Sequence, residues 1–232
     1  MSSFYFSKRG VIKLGKVIIQ SATTKNPLHL IGVEAGVCWN AKITNKYNNI
    51  KRAKECIESG HGRVMEFPQV YMILEGYSAK TLREFYTHIS GGPTRLQAST
   101  RYINYDSFSF VSPSFTSKEM KQKYEESMQS IAQNYKVLVD MGMPIEDASL
   151  LLPLGMETKV VVRTNLRNLV DMSHQRMCKR AYWEYQNVMQ DIKKALAIYS
   201  EEWKYLVDHL FVPKCQYFGK CTEKHSCGKL KN

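Results

Sequence analysis

No stretch of this chain approaches the roughly twenty consecutive apolar residues that a membrane-spanning helix needs. A secretory leader, with its short apolar core, is missing too. The expectation is a soluble, cytoplasmic protein with no membrane partner. Zinc-finger spacings, RNA-binding signatures and basic low-complexity tails are also absent, which argues against a nucleic-acid polymer as partner. Cysteine is sparse, with six residues at 38, 56, 178, 215, 221 and 227. Without an export signal they read as reduced thiols rather than a disulfide framework.

What is present fits a globular protein. The 232 residues are enough for one sizeable domain with its own core. Hydrophobic content is 44% and aromatic content 11%, both ordinary. The net charge of +12 favours anionic partners such as nucleotides and phosphorylated cofactors. The expected division is a single domain over 1–212 and a Cys-rich tail over 213–232.

Along the chain, residues 10–22 are β-branched and partly alternating, which predicts a strand pair or hairpin. Residues 32–40 predict a short helix entering a loop. Residues 49–59 carry apolar positions at helical spacing and end at Gly60. An apolar strand is predicted over 68–76, then a helix capped by Ser78 and running toward His88. Residues 116–141 form a long amphipathic pattern, broken by Gly142 and Pro144. A short helix, a strand ending at Asn165 and a basic helix opening with Asn165 and Arg167 complete the reading. Arg176 and Arg180 are four apart in that last segment.

The segment on which the chain turns is 88–105, H-I-S-G-G-P-T-R-L-Q-A-S-T-R-Y-I-N-Y. Gly91 and Gly92 give the backbone freedom and allow close approach of a ligand. Pro93 stiffens the turn. Arg95, Gln97, Ser99, Thr100 and Arg101 supply guanidinium groups, hydroxyls and an amide, the donors that recognise a phosphate ester. Taken alone, R-x-x-x-S-x-R reads as a polar surface loop.

Other segments weigh on that choice. R-L-Q-A-S-T-R-Y resembles the end of the signature of flavin-dependent thymidylate synthases, the ThyX family, which shows R-H-R and then S-x-R-Y. Ser99, Arg101, Tyr102 and His88 are kept. Thr87 and Ile89 replace the flanking arginines, and Gln97 stands where the family has Glu. G-H-G-R-V-M-E-F, residues 60–67, is similar to the family's G-H-x-S-x-x-E-H, with His61 and Glu66 kept and Phe67 in place of the last His. The P-L pair at Pro153 leads to Asn165 as in the family, but Ser149 falls where the family has an Arg that holds the nucleotide phosphate. The run N-L-R-N-L-V-D-M-S-H-Q-R-M-C-K-R-A-Y-W-E-Y is similar to N-x-R-x-L-x-x-F-x-x-x-R-x-x-x-x-A-x-W-E-I, with Asn165, Arg167, Leu169, Arg176, Ala181, Trp183 and Glu184 in register.

The resemblance implies an α/β fold, with long helices on a central, mostly antiparallel curved sheet. It implies a homotetramer with active sites shared between subunits. It implies reductive methylation of dUMP to dTMP, with FAD as cofactor and NADPH and 5,10-methylenetetrahydrofolate as co-substrates. On it, Glu84, Gln97, Ser99, Thr100, Arg101 and Arg176 take dUMP, with Ser99, Arg101 and Arg176 at the chemistry. His61, His88, Arg95, Asn165, Arg167 and Asp171 line the flavin, and Arg95 stands in for the missing arginines. No cysteine nucleophile is implied. The variant signature leaves two other readings open: hydroxymethylation of a pyrimidine nucleotide by a related flavin enzyme, and a non-catalytic nucleotide- or RNA-binding module. In the tail, Cys215, Cys221 and Cys227 recur every six residues with His225 among them, either as surface thiols or as a small metal cluster.

Overall fold

The computed structural model describes residues 15–230 and the backbone of 6–7 and 10–11. Two short strands, β1 (Phe6–Ser7) and β2 (Gly10–Val11), pair antiparallel. Strand β3 (Lys16–Ile19) belongs to a different, four-stranded sheet. The hairpin predicted over 10–22 is therefore not formed between β2 and β3, and its residues 12–14 lie outside the described residues.

The sheet has the order β3–β4–β6–β5, with β4 at Gln69–Ser78, β5 at Thr94–Gln97 and β6 at Glu157–Asn165. Apolar alternation explains β4 and β6. In β6, Thr158, Val160, Val162 and Thr164 are buried while Lys159 and Val161 are exposed. The chain forms two compact units, and β4 and β6 contribute residues to both.

One unit comprises Leu74–Thr87, Leu96–Val160 and the described residues up to Lys16. Its helix α3 (Ala79–Phe85) is capped as predicted: the Ser78 hydroxyl accepts from Thr81 N at 3.2 Å. Its longest helix, α4 (Lys118–Asp140), starts at the Ser117 cap and buries Met128 and Tyr135. The irregular segment before it is tied to α4 by Tyr124, whose hydroxyl donates to the Val111 carbonyl at 2.9 Å. Phe110 and Phe115 pack on the same ring at 5.9 and 5.3 Å. A short helix, α5 (Ile145–Ala148), and a 3₁₀ turn follow. Leu74, Tyr77, Leu82, Phe85 and Val160 complete the core.

The other unit comprises Val17–Ile73, His88–Arg95 and Val161 onward. Helix α1 (Pro27–Cys38) begins earlier than the segment predicted over 32–40, because Pro27 starts it with its φ already set. Helix α2 (Lys46–Glu58) is capped by Asn45, which accepts from Asn48 N at 3.0 Å. A 3₁₀ turn over Gly62–Glu66 leads into β4. Helix α6 (Leu166–Arg176) follows β6 directly, with the Asn165 side chain accepting from Asn168 N at 2.9 Å. It ends at Arg176. The chain then turns before α7 (Trp183–Tyr199), so Arg176 and Arg180 do not share a helix face as the sequence suggested. Helices α8 (Glu201–Leu210) and α9 (Lys214–Phe218) close the chain. Tyr185, Val188, Ile192, Leu196, Trp203, Leu206 and Phe211 build the core of this unit.

Candidate active site

The residues expected at the flavin all fall in the second unit, and three of them, His88, Arg95 and Asn165, meet at the Gly-Gly-Pro loop. His88 is half-buried. Arg176, the last residue of α6, donates from Nε to His88 Nε2 at 3.1 Å. Arg95 on β5 folds back, and its guanidinium donates to the His88 carbonyl. Burial, then the positive charges of Arg176 and Arg95, push the imidazole down to about 4. His88 is thus neutral near pH 7, with its lone pair on Nε2 toward Arg176 and its proton on Nδ1.

The loop itself is pinned at both ends. Gly91 and Gly92 have φ of +72° and +60°, the left-handed region. A Cβ on Gly91 would collide with the Asn165 amide, so the lack of a side chain there is a packing requirement. Arg163, at the end of β6, donates to the Gly92 carbonyl at 3.0 Å and to the Thr94 hydroxyl at 3.2 Å. Arg167 pairs with Glu66 at 2.6 Å, bringing the 60–67 box beside the start of α6. His61 precedes that 3₁₀ turn with its side chain exposed, and Asp171 is exposed one turn beyond Arg167. His174, next along α6, packs on Tyr217 and Phe218 of α9 at 4.5 and 6.3 Å. Burial lowers its pKa against the opposing pull of Asp171.

In the first unit, Gln97 ends β5 and is exposed. The Ser99 hydroxyl accepts from Arg101 N at 3.1 Å and so shapes the turn through Thr100. Arg101 is extended into an ion pair with Glu146 of α5 at 2.8 Å. Ser149 donates to the Glu146 carbonyl at 2.6 Å. Glu84 lies in the last turn of α3, where its carbonyl accepts from the Thr87 hydroxyl at 2.7 Å.

The structure adds residues to the candidate site. Among the described residues no three His, Cys, Asp or Glu side chains converge on a metal position; of the two readings of Cys215, Cys221, His225 and Cys227, this geometry favours separate thiols. All six cysteines are free thiols. Arg180, expected beside Arg176, instead donates to the His225 carbonyl. Sequence reasoning passed over Arg163, Tyr185 and Glu146. An arginine directly after the V-V-V run of that strand was the one signal available for Arg163. Tyr185 showed only as the end of the W-E-Y run, where the family pattern has Ile.

Residues 19–198 match the family model of the thymidylate synthase complementing protein, Thy1. The chain belongs to the Thy1 family. The resemblance to flavin-dependent thymidylate synthases read from the dispersed boxes therefore holds. Similar to this Thy1 chain is the flavin-dependent thymidylate synthase of Geobacter sulfurreducens, 36% identical over 129 residues, which are 54% of this chain and 55% of that protein. The one from Pyrococcus furiosus is 28% identical over 214 residues, 87% of each chain. The crystal structure of the flavin-dependent thymidylate synthase ThyX from Helicobacter pylori, complexed with FAD and dUMP, matches with a TM-score of 0.67 at 19% identity. The match covers 84% of this chain and 99% of that one. Such a likeness establishes the fold: a mixed α/β architecture with an antiparallel sheet and many helices, as the Thy1 motifs implied. Among the described residues, no helix is long and apolar enough to cross a membrane.

Proposed function

We propose that this Thy1 protein is an FAD-dependent thymidylate synthase that converts dUMP to dTMP. Methylenetetrahydrofolate supplies the carbon, NADPH supplies the electrons, and the working form is a homotetramer with shared active sites. The carrying observation is the group of guanidinium side chains around a neutral His88 in a chain of this family. Burial holds the imidazole below its usual value, and the positive charges of Arg176 and Arg95 push it further; that second part is a surplus of cations which a bound anion relieves.

The residues present fit a flavin dinucleotide. Its diphosphate carries the charge that Arg95, Arg163 and Arg167 call for, and two left-handed glycines leave backbone open to close approach. Arg95 and Arg163 take the place of the arginines missing at Thr87 and Ile89. His61, His88, Asn165, Arg167 and Asp171 line the same ligand. When bound, the flavin carries two electrons from NADPH to the transferred one-carbon unit, reducing it from methylene to methyl.

The chain's own side chains bind and orient. Ser99 and Thr100 offer hydroxyls and Arg101 a guanidinium to the dUMP phosphate, with Gln97 and Glu84 beside the nucleotide. Arg176, contributed by a neighbouring subunit, sets a positive charge near the pyrimidine carbonyls. That placement stabilises negative charge developing on the ring as C5 becomes nucleophilic. His88 accepts from Arg176 and stays uncharged, so it adds no competing cation. The Gly-Gly-Pro loop, held by Arg163 and Asn165, keeps these groups in place.

The test is direct. Purified protein should be yellow, and NADPH should bleach the flavin band. Incubation with dUMP and methylenetetrahydrofolate should then yield a product heavier by one CH2 unit, a methyl group in place of the hydrogen on C5. A colourless protein that takes up no FAD on reconstitution would sink the reading. A product carrying a hydroxymethyl group would assign the second flavin chemistry that the variant signature leaves open.

A further inference from the structure

The ring of Tyr185 is fully buried, yet it meets two polar groups of the site. The Arg176 guanidinium lies over it, 4.7 Å from the ring centroid. The His88 imidazole stands 6.1 Å away, tilted by 45°. Arg176 Nε in turn donates to His88 Nε2 at 3.1 Å. Three elements thus converge: the end of α6, the first turn of α7 and the chain after α3. The family pattern quoted above ends in W-E-I, whereas this chain ends in W-E-Y.

We propose that Tyr185 is a positioning residue that sets the plane of the Arg176 guanidinium and, through it, the orientation of His88. A guanidinium is weakly hydrated and delocalised, so it stacks on an aromatic face more readily than an ammonium does. The ring fixes the plane of the group; the hydrogen bond from Nε fixes its rotation within that plane. Together they leave Arg176 a single aim. Ile at position 185 could supply bulk but no negative face. The chain has also lost the two arginines that flank this His in the family signature, and the Tyr185–Arg176 stack brings a cation to His88 from another helix. This inference rests on the flavin-enzyme reading only for its consequence in catalysis, because the geometry stands in the protein alone.

The groups facing His88 are Arg176 from α6, Arg95 from β5 and Tyr185 from α7. Nitrogen-15 NMR of histidine-labelled protein, without flavin or nucleotide, reads both the tautomer and the titration of His88. The wild type should show the Nδ1–H form and titrate near 4. In Tyr185→Ile the guanidinium swings away, and the midpoint should rise above the wild-type value, while burial, the larger cause of the shift, keeps it below the ordinary 6.5. Tyr185→Phe should rescue it, since the ring is what matters. In steady-state assays, kcat/KM for dUMP should fall by about 10- to 100-fold in Tyr185→Ile and recover in Tyr185→Phe.

A wild-type titration in Tyr185→Ile overturns the proposal, and so does a shifted titration with unchanged kcat/KM. Should Tyr185→Ile not fold, the Arg176 Nε–H resonance of the wild type decides. A ring-shifted, slowly exchanging signal supports the stack, and the signal of a freely solvated arginine overturns it. A protein with the coupled titration but no turnover of dUMP would refute the enzymatic reading and leave the positioning intact.

Discussion

Arg176 Nε stands 3.1 Å from His88 Nε2, joining the end of one helix to the head of the Gly-Gly-Pro loop. The pair is a cation beside a base that stays uncharged, and this arrangement has a measurable cost in acid. Folded, the imidazole takes a proton only near 4, whereas in the unfolded chain it does so near 6.5. Between those values the unfolded chain holds more protons. Stability is therefore full above about pH 6.5 and declines as the pH falls toward 4. His174, whose pKa is also lowered by burial, acts in the same direction. Urea midpoints at about pH 7.5 and about pH 4.5 should differ clearly in the wild type and less in His88→Asn.

The Gly91 loop offers a second test. Gly91→Ala must both adopt φ near +72° and displace the Asn165 amide, whereas Gly92→Ala faces only the unfavourable φ, with open space around it. Gly92→Ala should cost about 1 kcal/mol, and Gly91→Ala more than about 2 kcal/mol, in chemical denaturation. Equal losses would show that Asn165 yields freely.

Asn165 also caps α6. Asn165→Ala should lose about 1 kcal/mol, and Asn165→Asp should retain most of it because a carboxylate accepts the same Asn168 N–H. Thermal melts of the two variants measure the difference.

Arg101 and Glu146 form an exposed pair, with side chains 65% and 50% accessible. Such a pair is worth under about 1 kcal/mol, so Arg101→Ala should barely change the melting temperature. On the proposed function its effect should fall on dUMP, whose phosphate would compete with Glu146 for the guanidinium. Glu146→Gln should tighten dUMP by roughly threefold to tenfold in calorimetric titration. Weaker binding in that variant would refute the competition.

Arg167 and Glu66 are similarly half-exposed, at 42% and 38%. Arg167→Gln should weaken FAD about tenfold in flavin-fluorescence titration while changing stability by less than about 1 kcal/mol. A stability loss without an effect on FAD would make the pair purely structural.

Local signals made much of this architecture readable. Ser78, with the helical pattern behind it, marked α3; the amphipathic pattern over 116–141 marked α4. β4 and β6 showed in their apolar runs. β5 did not, because T-R-L-Q is short and polar and owes its strand form to pairing with β6. The end of α6 was equally hidden. No Gly or Pro interrupts the segment between Arg176 and Trp183, and the apolar positions continue through Cys178 and Ala181. The family was legible as residue types in a fixed order. The particular partnerships were not: Arg176 with His88, Arg163 with Gly92 and Arg101 with Glu146 join positions far apart in the chain, which only the folded backbone specifies.

The space beside Gly91 that the Asn165 amide fills has an evolutionary consequence. Neither position is at liberty to drift alone. A lineage that gained a methyl group at 91 would first have had to shorten the residue at 165, and would then have needed another way to begin α6. Among relatives these two sites should change in tandem, a correlated history imprinted by one missing carbon.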